Sequence, residues 1–71
     1  MSVYKVIELV GTSTTSWEDA AMTAVKTAGS TLRDLRVAEV VKQDLEVGHA
    51  GEAPTFRVKL SVSFKYEESA G

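Results

Sequence analysis

The sequence predicts an α+β fold, β-α-β-β, in which a three-stranded antiparallel sheet packs against one helix. Three observations predict it. Residues 55–66 alternate apolar and polar side chains, residues 17–32 repeat apolar positions at spacings of three and four, and residues 3–10 are a run rich in β-branched types that stops at glycine. The first two periods are those of a half-buried strand and an amphipathic helix.

The first strand is read at residues 3–10, VYKVIELV, ending in a turn at Gly11-Thr12-Ser13. Both of its faces carry apolar side chains, Ile7 and Leu9 on one and Tyr4 and Val6 on the other, which suits a strand covered on both sides. The helix start is marked by Thr15-Ser16-Trp17-Glu18, the pattern of a capping box in which a hydroxyl and a Glu three residues on satisfy orphan backbone amides. Trp17, Ala21, Ala24, Val25, Ala28 and Leu32 then form one apolar stripe, mostly alanine, which lets the helix lie close on the sheet. Gly29 and Ser30 weaken the last turn, so the helix is expected to finish by Leu32 to Asp34.

A long second strand follows from about Arg36 to Val47, and residues 48–54, GHAGEAP, have hairpin composition. The third strand, Thr55 to Tyr66, turns Phe56, Val58, Leu60, Val62, Phe64 and Tyr66 to one face and Arg57, Lys59, Ser61, Ser63 and Lys65 to the other. Residues 1–71 make one domain with an ordered core over about 3–66, and the tail from Glu67 is expected to fray. Strands of twelve residues are long for so small a domain, and one helix does not cover their sheet.

Composition points to a helper for this small core. A domain of about 60–70 residues buries only about 60% of its unfolded surface and often needs disulfides, a metal or self-association. Cysteine is absent and His49 is the only histidine, so disulfides are excluded, a structural zinc site is not expected and oligomerisation is. No signal-peptide pattern is read in the first segment, and no apolar run reaches the eighteen or so residues of a membrane span. The expected location is cytoplasmic. A net charge of −2 without a Lys/Arg run disfavours nucleic-acid binding.

The stretches YKVIELVGTS, the helix opening Ser16-Trp17, VAEVVKQ and FRVKLSVSF together resemble the dodecin family over nearly the whole chain. The resemblance implies a cytoplasmic homo-oligomer, a hollow dodecamer of cubic symmetry. It also implies a binding and storage role, usually for flavins such as riboflavin or FMN. In such proteins a tryptophan of the second strand stacks on the flavin and a glutamine of the third contacts it. Here Val37 stands at the first position and Arg57 at the second. Valine has no π face, so the aromatic attraction of about 0.5–1.5 kcal/mol per pair is lost. Arg57 would favour a phosphate-bearing ligand. The sequence is most similar to the flavin-poor branch called calcium dodecin, which implies calcium as ligand. Calcium takes six to eight oxygens, and no EF-hand loop is present, so a site is expected to be shared between subunits or completed by waters and carbonyls. Glu18, Asp44 and Glu46 are the candidate carboxylates.

Other chemistry is not expected. His49-x-x-Glu52 sits in a solvated hairpin, Gly11-Thr12-Ser13 lacks the glycines and lysine of a phosphate loop, and no nucleophile has a base partner suggested by spacing. The chain is therefore read as a binding protein and not an enzyme.

Overall fold

The structure, a computed structural model, describes residues 1–31 and 35–65, Thr31 by its backbone alone. Strand β1 (Tyr4–Ser13), helix α1 (Trp17–Thr31), strand β2 (Leu35–Glu46) and strand β3 (Thr55–Lys65) follow in the predicted order. The sheet runs β1-β3-β2, antiparallel at both pairings, so β3 is central and β1 and β2 are its edges. The expected helix end at Leu32 to Asp34, the Tyr66 end of the third strand and the tail lie outside the described residues.

β1 does not stop at Gly11-Thr12-Ser13. It stays paired through Ser13 opposite Phe56. The glycine serves close approach rather than a turn: a Cβ at Gly11 would stand 2.1 Å from the Ala20 carbonyl oxygen and 2.9 Å from the Ala24 Cβ. The strand therefore runs directly beneath the helix backbone. The helix start also differs by one residue from the expected box. Ser16 is the cap, its Oγ accepting from the Asp19 amide at 3.0 Å, while its carbonyl accepts from the Ala20 amide. Asp19, not Glu18, is thus the third helical residue, and its carboxylate accepts from the Ser13 hydroxyl at 2.7 Å. Ser13 Oγ in turn accepts from the Thr15 amide, closing the strand-to-helix turn.

The core is Ala20 and Ala24 of α1 laid on Val58, Leu60 and Val62 of β3, each of the three β3 side chains 1% exposed, and Ala28 is buried one turn further along the helix. Burying such aliphatic side chains stabilises by about 1.5–3 kcal/mol apiece. Ile7, Leu9, Trp17, Ala21, Val25 and Leu35 pack around this core. Trp17 pins one end: its ring meets Phe56 edge-on at 5.0 Å, and its Nε1 donates to the Asp44 carbonyl oxygen at 3.1 Å. The opposite, outer face of the sheet has no helix over it among the described residues. On it β1 leaves Tyr4, Val6 and Val10 exposed, so the strand predicted to be covered on both faces is covered on one within a protomer.

The β2–β3 connection contains a tight turn at His49–Glu52, in which the Glu52 amide donates to the His49 carbonyl at 2.9 Å. Gly51 takes φ +89° there, the positive value the third residue of a type II turn requires. The Glu52 carboxylate accepts from the His49 amide at 2.8 Å. The His49-x-x-Glu52 spacing is thereby explained as turn chemistry.

Candidate functional site

The residues raised by the sequence fall mainly on the outer face of the sheet, where antiparallel pairing sets them in rows. Residues directly opposite across a ladder share a face. One row is Thr12–Arg57–Asp44, the next Val10–Lys59–Lys42, then Glu8–Ser61–Glu39, then Val6–Ser63–Val37. Two register shifts in β2, at Leu35/Val37 and Val40/Lys42, set this alignment. Without the second, Lys42 and the residues after it would be turned to the helix face, since a one-residue slip inverts a strand.

Val37 and Arg57 share this face but do not converge within one protomer. Val37 pairs with Ser63, six residues from Arg57 along β3, a separation of about 20 Å at roughly 3.4 Å per residue. Val37 is 60% exposed, next to Ser63 of the central strand, with Val6 on that strand's far side. Its surroundings are aliphatic and open, without an aromatic ring in the same row.

Arg57 is held at the other end by Asp44, Nε to Oδ1 at 2.8 Å. The candidate phosphate binder and a candidate calcium ligand thus neutralise each other across the β2–β3 ladder. The pair is partly exposed, so its attraction is screened and modest. Lys59 reaches diagonally to Glu8, Nζ to Oε1 at 3.3 Å. Lys42 lies directly opposite Lys59, two like charges facing each other. Neither the Glu8 partnership nor the Lys42–Lys59 opposition was read from the sequence, because both depend on the register.

Glu46 is exposed, two residues beyond Asp44 and opposite Thr55, and it borders the concavity of the hairpin. Glu18 is exposed in the first turn of α1, next to Trp17. The Trp17–Asp44 hydrogen bond draws that turn to the end of β2. Yet no three His, Cys, Asp or Glu side chains gather to hold a metal ion among the described residues. One protomer does not by itself supply the oxygens calcium needs, so Glu18, Asp44 and Glu46 fit calcium only as parts of a site completed from elsewhere.

A second concave feature lies on the helix side, a groove of about 390 Å³ between α1 and the free edge of β1. No helix among the described residues is long and apolar enough to cross a membrane.

Comparison with known proteins finds relatives over nearly the whole chain. The sequence profile of the Dodecin family matches residues 3–67. A protein named calcium dodecin from Mycobacterium tuberculosis is 57% identical over 65 residues, covering 92% of this chain and 90% of its own. A dodecin from Thermus thermophilus is 42% identical over 67 residues, covering 94% and 96%. The crystal structure of the Mycobacterium tuberculosis protein, described as calcium chelating with a novel calcium-binding site, matches with a TM-score of 0.84 at 54% identity over 96% of both chains.

Proposed function

The chain belongs to the dodecin family, and on that premise we propose that it is a cytoplasmic storage or buffering protein, working as a hollow homododecamer, whose ligand is calcium rather than a flavin pair. The observation that carries the reading is the state of the flavin-equivalent positions. Val37 offers an aliphatic side chain on an open sheet face, and Arg57 is engaged by Asp44. A flat ring placed at Val37 gains burial there but no aromatic stacking. The relative that is 57% identical bears calcium in its name, which supports the same assignment.

The proposed calcium ligands are Asp44 and Glu46, adjacent on one face of β2, with Glu18 from the helix start. Hard carboxylate oxygens suit a cation of this kind. Asp44 has one oxygen bonded to Arg57 and one left for a ligand. Because no protomer gathers three such groups among its described residues, the remaining oxygens come from a neighbouring subunit, from carbonyls or from water. The proposed role is binding and involves no turnover.

Calorimetric titration of the assembled protein with calcium, alongside FMN and riboflavin titrations followed by flavin fluorescence, tests this. Calcium is expected to bind and to raise the melting temperature, with both effects reduced in Asp44→Asn and Glu46→Gln. Purified protein that is yellow, or that quenches FMN at sub-micromolar concentration without responding to calcium, would establish the flavin-storage alternative instead. Calcium binding unchanged in both variants would discard these ligands.

A further inference from the structure

We propose that the groove between α1 and the free edge of β1 receives the uncharged inner face of β2 from a second copy of this chain, in a head-to-tail contact. The contact deepens the oligomeric part of the reading above and rests on it. Its starting observation is an imbalance of cover. α1 sits on β1 and β3, where Leu60 and Val62 are 1% exposed. Their cross-strand partners on β2, Val40 and Ala38, stay in the open, Val40 at 49% and, further along the same face, Leu45 at 43%. The helix ends its cover one strand too early.

The groove is the complementary feature at the other edge of the sheet. Its volume of about 390 Å³ is room for about a dozen waters at roughly 30 Å³ each. Water there would lie against Ile7, Leu9, Ala24 and Ala28, and displacing it from apolar walls is favourable.

Charge selects the occupant. None of the nine residues lining the groove is charged, so an ionised side chain entering it would be desolvated without a partner. That excludes the outer face of the sheet, which carries Glu39, Lys42, Asp44 and Arg57. From Ala38 to Leu45 the inner face of β2 presents Ala38, Val40, Gln43 and Leu45, opposite the buried face of β3 and without a charge; Arg36 stands nearer the start of the strand, beyond this stretch. Its one polar side chain, Gln43, has donors and an acceptor to match, and the groove offers the hydroxyls of Thr23 and Thr27 on α1.

Geometry sets the mode. β2 carries two register shifts that interrupt its free edge, a device that discourages strand addition. β2 therefore contributes its face. Groove and face belong to opposite edges of the sheet, so each copy offers its groove to one neighbour and its β2 to another. Such a contact is heterologous, and when its rotation closes it forms a ring.

The cysteine-free chain permits a direct test with T27C and V40C, singly and together, each sized in solution and then treated with a short bis-maleimide. The double variant is expected to give covalent species of three or more subunits on a denaturing gel, while each single variant stays monomeric there. Dimers from V40C alone would show that β2 meets β2 and overturn the proposal. So would an intact assembly in which the double variant gives no ladder and Thr27→Cys remains open to a maleimide dye, because the groove would then be free for another occupant. A monomeric parent chain would overturn the homododecamer reading as well, which distinguishes the two failures.

Discussion

Replacing Gly11 with alanine is expected to destabilise the subunit more than any other single-methyl addition on β1. The added Cβ would stand 2.1 Å from the Ala20 carbonyl oxygen, and 3.0 Å is the shortest approach such atoms tolerate, so the helix must withdraw by at least 3.0 − 2.1 = 0.9 Å. The obstructing atom is backbone and cannot rotate aside. Overpacking of a close-packed interface costs about 1–3 kcal/mol, and a rigid obstruction belongs at the upper end. A radial gap of about 0.5–1 Å also forfeits a quarter to a half of each dispersion contact across the Ala20–Ala24–Ala28 line. Against this, alanine restricts the unfolded chain more than glycine and returns about 0.4–1 kcal/mol. The net loss is about 2 kcal/mol. A domain of 71 residues at about 0.05–0.15 kcal/mol per residue holds roughly 4–11 kcal/mol in all, so the effect is large. Urea denaturation followed by Trp17 emission, at matched protein concentration because assembly contributes to stability, measures it. A change below about 0.5 kcal/mol would refute the close-approach account of this glycine.

Two further perturbations probe the ends of the sheet. Trp17→Phe keeps an aromatic ring near Phe56 but removes the donor to the Asp44 carbonyl, and it is expected to cost about 0.5–1.5 kcal/mol for the hydrogen bond; circular dichroism during denaturation follows it, and a loss no larger than error would mean the bond carries nothing. Lys42→Glu replaces the like-charge opposition to Lys59 with an opposite pair and is expected to stabilise by about 0.2–1 kcal/mol. That gain should shrink in 1 M salt, where the screening length falls to about 3 Å; an undiminished gain would point to packing instead of charge.

Much of the fold was legible because its strongest signals are local. The alternation of residues 55–65 placed Val58, Leu60 and Val62 inward, and they are the most buried large side chains. The alanine-rich periodicity located α1, although its central line runs through Ala20, which the stripe read from Trp17 had passed over. The errors concern distance between elements. Gly11 has the composition of a turn, and only the packed helix reveals that the missing side chain makes room for a carbonyl. Ser16 and Thr15 both have side chains that cap, and the structure uses Ser16, with Asp19 joined to Ser13 across the same turn. The candidate site was less legible for the same reason. Val37 and Arg57 were placed on one sheet face by alternation, but their separation along β3 and the Arg57–Asp44 pair follow from a register that two irregularities in β2 determine.

Those irregularities link the site to the assembly. Without the shift between Val40 and Lys42, Asp44 would turn to the inner face of β2, and a neighbouring subunit packed there would strand its carboxylate away from Arg57 at a cost. The shift between Val40 and Lys42 instead carries Asp44 outward to Arg57 while leaving Leu45 inward beside Phe56. One irregular step therefore gives β2 a charged face and an uncharged face from Ala38 to Leu45. The charged face holds the carboxylates that suit a cation, and the uncharged face is the surface a neighbouring subunit can bury without stranding a charge. The proposed ligand chemistry and the proposed subunit contact thus diverge from the same backbone feature. Straightening β2 would damage both together, whereas substitutions at Asp44 or Val40 alone should separate them.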